Sequence, residues 1–143
     1  HVVTGSILSL LRDEPPVIRS DGSPVKAYLH AQDTMEAYML LAERARDPGV
    51  DGEAFNVTPE APISVLDLVR AIVKISGKTH LEPVVANTDL SQKGYFEHLS
   101  GNKMKQMLGW RPRFSLEEGL RLTYEWYAAH GVGWIREGSG AVH

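Results

Sequence analysis

Two spacings of hydrophobic residues, one helical and one strand-like, alternate along the chain. A run rich in Val, Ile and Leu over residues 2–12 predicts a helix, which the proline pair at 15–16 ends. Short apolar runs at residues 16–20 and 25–31 predict strands on either side of a turn at residues 21–24. The early part of the chain is therefore predicted to contain a β-hairpin.

A helix with a broad apolar face is predicted from Thr34 onwards. Asp33 precedes it as the expected N-cap, and Glu36 three residues later completes a capping box. The apolar face consists of Met35, Tyr38, Met39, Leu41, Ala42 and Ala45. The helix is expected to end near residues 47–49, and residues 53–58 follow as a predicted strand.

Two later helices carry clear start signals. Ser64 with Asp67, and Ser115 with Glu118, each have the spacing of an N-cap and its partner. The apolar stripe of the first helix is Val65, Leu68, Val69, Ile72 and Val73, with Gly77 as its C-terminal stop. That of the second is Leu116, Leu120, Tyr124 and Tyr127.

The remaining segments complete a mixed pattern. Residues 81–85 predict a strand, and a short helix is expected from Ser100 to Gly109. Strands separated by helices predict the mixed α/β (α+β) fold class. We expect one domain over residues 1–136 and a flexible tail over residues 137–143, where the sequence turns small and polar.

Composition narrows the classes of function. The chain has 143 residues, a formal net charge of -3 and no cysteine. It lacks the basic charge of a nucleic-acid binder and any apolar run near the ~20 residues that span a bilayer. We therefore expect no nucleic-acid partner, no membrane and no disulfide or thiolate metal site, and a cytoplasmic location. The first residue is His1 and not Met, which suggests that the chain enters a fold partway.

Catalytic and cofactor motifs are absent from the sequence. A dinucleotide cofactor needs a glycine-rich turn between a strand and a helix, and the only closely spaced glycines are Gly131, Gly133, Gly138 and Gly140, near the C-terminus. None of the five tyrosines is followed by a lysine four residues later, and the six histidines are scattered. We therefore expect no catalytic residue, no cofactor-binding residue and no metal site in this chain.

The one candidate binding site in the sequence is the pair Arg19 and Lys26. In the predicted hairpin the two cations lie close together on either side of the turn. Charge-assisted hydrogen bonds from such a pair suit a diphosphate. The alternative is that both are solvated residues that protect a strand edge from pairing.

Segments around this pair carry a resemblance. In chain order they are Arg19-Ser20-Asp21-Gly22-Ser23-Pro24-Val25-Lys26-Ala27-Tyr28, Asp33, Ala37-Tyr38-Met39-Leu40-Leu41-Ala42-Glu43, Gly52-Glu53-Ala54-Phe55-Asn56-Val57, Ser64-Val65-Leu66-Asp67-Leu68-Val69, His98-Leu99-Ser100, Leu108-Gly109-Trp110-Arg111-Pro112, Leu116-Glu117-Glu118-Gly119-Leu120 and Glu125-Trp126-Tyr127. The ordered set resembles the C-terminal, substrate-binding portion of NAD-dependent sugar-nucleotide epimerases and dehydratases, which are extended short-chain dehydrogenases/reductases. The nearest likeness is to CDP-glucose 4,6-dehydratases.

The resemblance implies roles for particular positions. Position 26 matches the family's arginine that contacts the diphosphate, and here it is Lys26, followed by Ala27 where the family has Asp. In the family, NAD is bound by a glycine-rich turn and the chemistry is carried by a Tyr-x-x-x-Lys pair, both upstream of the matching portion. The helix matching residues 33–46 and the strand matching residues 53–58 pack with that dinucleotide-binding half.

Two readings of the function follow. In the first, the chain is the nucleotide-diphosphate-sugar-binding portion of an epimerase or dehydratase and is inactive alone, with no cofactor of its own. In the second, it is a non-enzymatic module that reuses the fold for binding or self-association. A related reading makes it one half of a split enzyme. The expected partners are a nucleotide sugar and either a second copy of the chain or a separate dinucleotide-binding half.

Overall fold

The computed structural model describes residues 2–59, 61–89, 91, 93–97 and 99–137. The helices of this part of the chain are α1 (Val2–Leu11), α2 (Ala31–Arg44), α3 (Val65–Ser76), α4 (Asn102–Leu108) and α5 (Leu116–Glu137). Its strands are β1 (Val17–Ile18), β2 (Val25–Lys26), β3 (Ile63–Ser64) and β4 (Val84–Val85). The mixed α/β pattern predicted from the sequence is thus observed, with strands much shorter than expected.

Helices α1, α3 and α5 pack together around the main core. That core consists of Ile7, Leu10, Leu68, Ile72, Val73 and Leu120. Every residue of the stripe predicted for α3 is buried. On α5, Leu116, Tyr124 and Tyr127 pack against the same core beside Leu120. The two helical stripes were therefore predicted correctly.

The predicted caps of α3 and α5 are confirmed. The Asp67 N–H donates to Ser64 Oγ at 3.1 Å. At α5 the box is reciprocal, because the Glu118 N–H donates to Ser115 Oγ at 3.2 Å and the Ser115 N–H donates to Glu118 Oε2 at 2.9 Å. Hydrogen bonds from the Ser115 side chain and backbone lower the pKa of Glu118, with a smaller contribution from Arg121. Gly77 ends α3 in the left-handed conformation, as expected.

The predicted hairpin does not form. β1 pairs in parallel with β4, whereas β2 pairs antiparallel with β3, so the two strands belong to different sheets. The turn between them is held by the start of α3: the Leu66 N–H donates to the Gly22 carbonyl at 3.1 Å and the Val65 N–H donates to the Pro24 carbonyl at 2.9 Å. This backbone clamp carries β2 away from β1.

The capping box predicted at Asp33 was also wrong. α2 begins at Ala31, and its N-cap is His30, whose side chain accepts from the Gln32 N–H. Asp33 is fully buried, and its carboxylate accepts hydrogen bonds from the backbone N–H of Arg113 at 2.9 Å and of Phe114 at 3.4 Å. The Asp33 carboxylate therefore binds backbone N–H groups from a distant segment, whereas the sequence pattern predicted that it would cap the start of α2.

Two predicted strand segments lack ladder partners within the described residues. β2 ends at Lys26 rather than continuing to residue 31, and residues 53–58 belong to no strand. Phe55 and Val57 nevertheless pack against a second core cluster. Its buried members are Ala37, Val50, Met104, Leu108 and Trp110. The Phe55 and Val57 side chains are thus partly buried in this cluster, although no described strand pairs with their backbone.

One face of α2 is exposed and apolar. Met35, Tyr38 and Met39 are 59%, 63% and 57% exposed, and Ala42 is exposed beside them. The opposite side of the helix buries Ala37 in the second cluster. The broad apolar face predicted from the sequence is therefore only partly covered.

The C-terminal segments differ slightly from prediction. α4 begins at Asn102, two residues after the expected Ser100. α5 continues through Gly131 and Gly133 to Glu137, so the predicted tail is helical at its first residue. His98, part of the resemblance, and residues 138–143, the rest of the predicted tail, lie outside the described residues.

Candidate functional site

Arg19 lies at the carboxyl end of the parallel pair β1–β4. It directly follows β1, and its carbonyl accepts from the Thr88 N–H at 2.7 Å and the Asp89 N–H at 2.9 Å. In open α/β sheets, ligands bind outside the carboxyl ends of parallel strands. The exposed Arg19 side chain therefore stands where the local topology favours a ligand.

Acidic side chains near Arg19 are held by local turns. The Asp89 carboxylate accepts from Ser91 Oγ at 2.6 Å and from the Ser91 N–H at 3.0 Å. These bonds lower the pKa of Asp89, and the charge of Arg19 adds a smaller effect in the same direction. Asp21 is bound in the same way by Ser23, and Lys93 contributes weakly to its lowered pKa. This edge of the molecule therefore carries charges of both signs.

Lys26 lies in the other sheet, half-buried beside the loop at residues 93–97. Its Nζ is 5.3 Å from the centroid of the Tyr95 ring. The Val25 N–H donates to the Tyr95 carbonyl at 2.8 Å, and the Glu97 N–H donates to the Val25 carbonyl at 2.9 Å. The loop is thus joined to β2 on both sides of the residue before Lys26.

Ala27 and Tyr28 continue this neighbourhood. The Ala27 N–H donates to Glu97 Oε2 at 2.8 Å, so a carboxylate from the loop reaches the position where the family pattern has Asp. Burial raises the pKa of Tyr28, and the charge of Glu97 raises it further. A negative charge therefore lies close to the backbone that carries Lys26.

Arg19 and Lys26 are brought near the same helix end, although not by a hairpin. The turn that joins them is bonded at Gly22 and Pro24 to the first two residues of α3. Arg19 lies three residues before the first of these contacts and Lys26 two residues after the second. The amides of Val65, Leu66 and Asp67 are already bonded, so these three amides at the N-terminus of α3 are not available to an anion.

Sequence reasoning missed a large cavity elsewhere in the molecule. It has a volume of about 670 Å³ and is lined by residues 28–31, 58–59 and 61, the segment 110–116, and residues of α1, α4 and α5. This size falls in the range of ligand pockets. Its lining includes the basic Lys105 and Arg111 and, among the described residues, no acidic side chain. Residues from several separate parts of the chain form it, so no local sequence pattern could have predicted it.

Trp110 lines this cavity and is buried. Its Nε1 has no hydrogen-bond acceptor within the described residues. Three neighbours along the cavity wall, Tyr28, Leu29 and His30, come from the segment where β2 was expected to continue. The cavity therefore borders the backbone that lacks a neighbouring strand.

The described residues do not fit a dinucleotide cofactor. Two short strand–helix junctions contain no glycine, because β3 runs directly into α3 at Ser64 and β2 reaches α2 through residues 27–30. A pyrophosphate needs a glycine-rich turn to approach such a junction. Within the ranges that the structure covers, no three His, Asp or Glu side chains cluster as metal ligands. None of the described helices has the length and apolar character required to span a membrane.

The sequence is similar to that of known sugar-nucleotide enzymes. No protein-family model matches the chain. It is 33% identical over 138 residues to a trifunctional UDP-glucose 4,6-dehydratase/UDP-4-keto-6-deoxy-D-glucose 3,5-epimerase/UDP-4-keto-L-rhamnose-reductase of Arabidopsis thaliana, covering 95% of this chain and 20% of that protein. It is 26% identical to a dTDP-glucose 4,6-dehydratase of Xanthomonas campestris, covering 91% of this chain and 38% of that one.

The fold is also similar to solved structures of epimerases. The UDP-glucose 4-epimerase of Thermotoga maritima, solved with UDP-glucose, has a TM-score of 0.76 and 34% identity, covering 90% of this chain and 40% of that one. An epimerase of Methanothermobacter thermautotrophicus has a TM-score of 0.82 at 20% identity, covering 96% and 40%. The fold is thus a portion of the extended short-chain dehydrogenase/reductase fold, as predicted.

The relatives are sugar-nucleotide dehydratases and epimerases, and the chain spans between a fifth and about two fifths of their length. Their names specify UDP-glucose or dTDP-glucose. They do not support the expected nearest likeness to CDP-glucose 4,6-dehydratases, and that expectation is corrected accordingly.

Proposed function

We propose that this chain is the nucleotide-diphosphate-sugar-binding portion of a sugar-nucleotide 4,6-dehydratase or epimerase, with Arg19 and Lys26 contacting the diphosphate. The substrate class is a UDP- or dTDP-sugar, as in the names of the relatives. NAD, bound by another part of the whole protein, supplies the hydride transfer, so the chain alone is inactive. The absence of cysteine agrees with a reducing cytoplasm as its location.

The observation that carries this proposal is the arrangement of the two cations around one clamped turn. Residues 22 and 24 are fixed to the first turn of α3, which limits how far Arg19 and Lys26 can move apart. Arg19 also lies at the carboxyl end of a parallel strand pair. A rigid frame with two cations suits a diphosphate, because charge-assisted hydrogen bonds to phosphate are strong when the donors are preorganised.

The contact with the rest of the enzyme is proposed at the segments that lack a neighbouring strand. Extended segments at residues 27–30 and 53–58 have no neighbouring strand within the described chain, and the cavity of about 670 Å³ borders the first of them. A segment with no neighbouring strand can pair with a strand from elsewhere. We place the dinucleotide-binding part of the protein against these segments and the apolar face of α2.

Lysine at position 26 has a specific consequence for binding. Its ammonium is a point charge on a flexible stem, whereas the arginine expected from the family pattern grips phosphate with two parallel donors. The proposed site therefore holds the diphosphate with fewer directional bonds. We expect moderate affinity that depends strongly on where the lysine side chain is held.

Titration calorimetry of the 143-residue chain with UDP, dTDP and CDP tests the proposal. Lys26→Ala should weaken UDP or dTDP binding about tenfold, since a hydrogen bond to a charged group contributes roughly 1.5–3 kcal/mol. Lys74→Ala, which changes an exposed lysine near the other end of α3, is the matched control and should leave affinity unchanged. No binding by the unaltered chain, or equal binding by Lys26→Ala, would refute the proposed site.

Self-association is a second candidate function, favoured by the exposed face of α2. A contiguous apolar face containing Met35, Tyr38 and Met39 is unusual on a monomer. A two-fold dimer would cover it by using the same surface twice. This agrees with the sequence-based reading of the chain as a self-associating module, and it is compatible with nucleotide binding near Lys26.

A further inference from the structure

The Lys26 side chain and the loop at residues 93–97 form one structural unit. An isolated parallel bridge pairs Val25 with Phe96, and hydrogen bonds from Val25 and Glu97 hold it on both sides. Side chains alternate between the two faces of extended backbone. Tyr95 and Glu97 therefore share the face of Lys26, opposite Val25 and Phe96.

The contacts on that face divide into two kinds. The Tyr95 ring lies under the ammonium, with 5.3 Å between Lys26 Nζ and the ring centroid. Glu97 instead bonds the backbone, accepting from the Ala27 N–H at 2.8 Å. One residue of the loop thus fixes the loop to β2, while the other meets the lysine side chain itself.

We infer that Tyr95 is a positioning residue for Lys26, holding the ammonium over its ring so that it faces the diphosphate; this inference rests on the proposed function. A lysine stem has many rotamers, and ordering them on binding costs affinity unless they are ordered beforehand. An aromatic face attracts a cation without occupying its hydrogen-bond donors. Contact with the ring therefore restricts the lysine side chain, whereas an arginine at this position would have a planar and more rigid guanidinium group.

The groups around Lys26 also affect where its ammonium lies. Glu97 places a carboxylate close to the backbone that carries Lys26, because it accepts from the Ala27 N–H. The ring of Tyr95 is 45% exposed, so its face is open to solvent as well as to the lysine. Contact with the ring keeps the ammonium beside a partly exposed residue of the loop, on the side where we place the diphosphate.

A double-mutant cycle with UDP as the probe tests the inference. The variants are Tyr95→Leu, which removes the aromatic face, Tyr95→Phe, which keeps it, Lys26→Ala, and the double variant Lys26→Ala/Tyr95→Leu. We expect Tyr95→Leu to weaken UDP binding about threefold and Tyr95→Phe to stay within about twofold of the unaltered chain. In the Lys26→Ala background, Tyr95→Leu should have no further effect.

A second measurement needs no ligand. In NMR spectra of the unliganded chain, the ring current of Tyr95 should shift the Lys26 ε-methylene protons upfield, and the shift should persist in Tyr95→Phe and vanish in Tyr95→Leu. Equal losses of affinity from Tyr95→Leu with and without Lys26, or no upfield shift in the unaltered chain, would overturn the positioning role alone. Failure of the unaltered chain to bind UDP would overturn the proposed function together with it.

Discussion

The buried carboxylate of Asp33 accepts a hydrogen bond from the backbone N–H of Arg113, 80 residues further along the chain, at 2.9 Å. A second donor, the Phe114 N–H, lies at 3.4 Å. Asp33 thereby joins the start of α2 to the segment that leads into α5. The contact is a side chain–backbone bond between distant parts of the fold, made by a group with no exposed surface.

Asp33→Ala should lower the free energy of unfolding by about 1–3 kcal/mol, because it leaves two partly buried N–H groups without their acceptor. Urea denaturation followed by circular dichroism measures the change. Glu36→Ala is the control: its exposed ion pair with Arg113 should contribute about 0.5 kcal/mol or less. If the two variants lost equal stability, the burial argument for Asp33 would be incorrect.

The pair Asp13 and Lys78 predicts a pH dependence of stability. Lys78 Nζ donates to Asp13 Oδ1 at 2.6 Å, and this bond, with the lysine charge, lowers the pKa of Asp13 below its ordinary value of 3.8. A carboxyl with a lowered folded-state pKa stabilises the fold above its unfolded pKa, and that contribution is lost as pH falls through the folded pKa.

Asp13→Asn should therefore lower the melting temperature at pH 7 and have little effect near pH 2. Asn tolerates the left-handed backbone at this position, where φ is 60°, so the comparison isolates the charge. Thermal melts at several pH values between 7 and 2 provide the measurement. Glu43→Gln, at an exposed position of α2, serves as the control; an identical pH profile for Asp13→Asn and the unaltered chain would contradict the linkage.

The described strand–helix junctions predict that the chain binds no NAD or NADP. Neither the Ser64 junction nor residues 27–30 offers a glycine-rich approach for a pyrophosphate. Calorimetry with NAD should give no heat of binding under conditions where UDP is titrated as the positive control. Micromolar affinity for NAD would instead show that the chain carries a cofactor site of its own.

When the dinucleotide-binding part of the protein is not present to cover the exposed face of α2, we expect this chain to form a two-fold dimer through that face. Tyr38→Glu places a charge in the middle of that face and should yield a monomer, whereas Tyr38→Phe keeps the apolar surface and should remain associated. Light scattering at micromolar concentration distinguishes the two states. A 15.8 kDa species from the unaltered chain would rule out self-association.

Local signals predicted the helical part of the fold well. Ser64 and Ser115 each act on amides within three residues, and the α3 stripe is a periodic pattern on one helix. Such features depend on neighbours in sequence, so they can be derived without the tertiary structure. The same holds for Gly77, whose left-handed conformation ends α3.

Strand pairing was predicted poorly because its partners are distant. β1 pairs with residues 84–85 and β2 with residues 63–64, and nothing in the early turn distinguishes these partners from each other. Residues 53–58 have the composition of a strand but no neighbour within the described chain. Composition indicates where a strand is possible, whereas strand pairing depends on which other segments of the fold lie beside it.

The geometry predicted for the candidate site was wrong, whereas the assignment of its residues stays a prediction. Arg19 and Lys26 were chosen for their charge and for the resemblance, yet they lie in different sheets. The contribution of Tyr95 was not foreseen, because it comes from a loop some 70 residues beyond Lys26. The Asp33 carboxylate was misassigned for the same reason, since its donors follow far along the chain.

The parallel pairing of Val17 with Val84 has a consequence for the order in which this protein folds. The two residues close a loop that contains α2 and α3, and closing so long a loop costs entropy that local contacts do not. Pairs of high sequence separation slow folding for this reason. Packing α1 on α3 closes a loop of similar length, since Leu11 and Val65 are 54 residues apart (65 − 11), so the main core and the edge that carries Arg19 are expected to form together, late in folding.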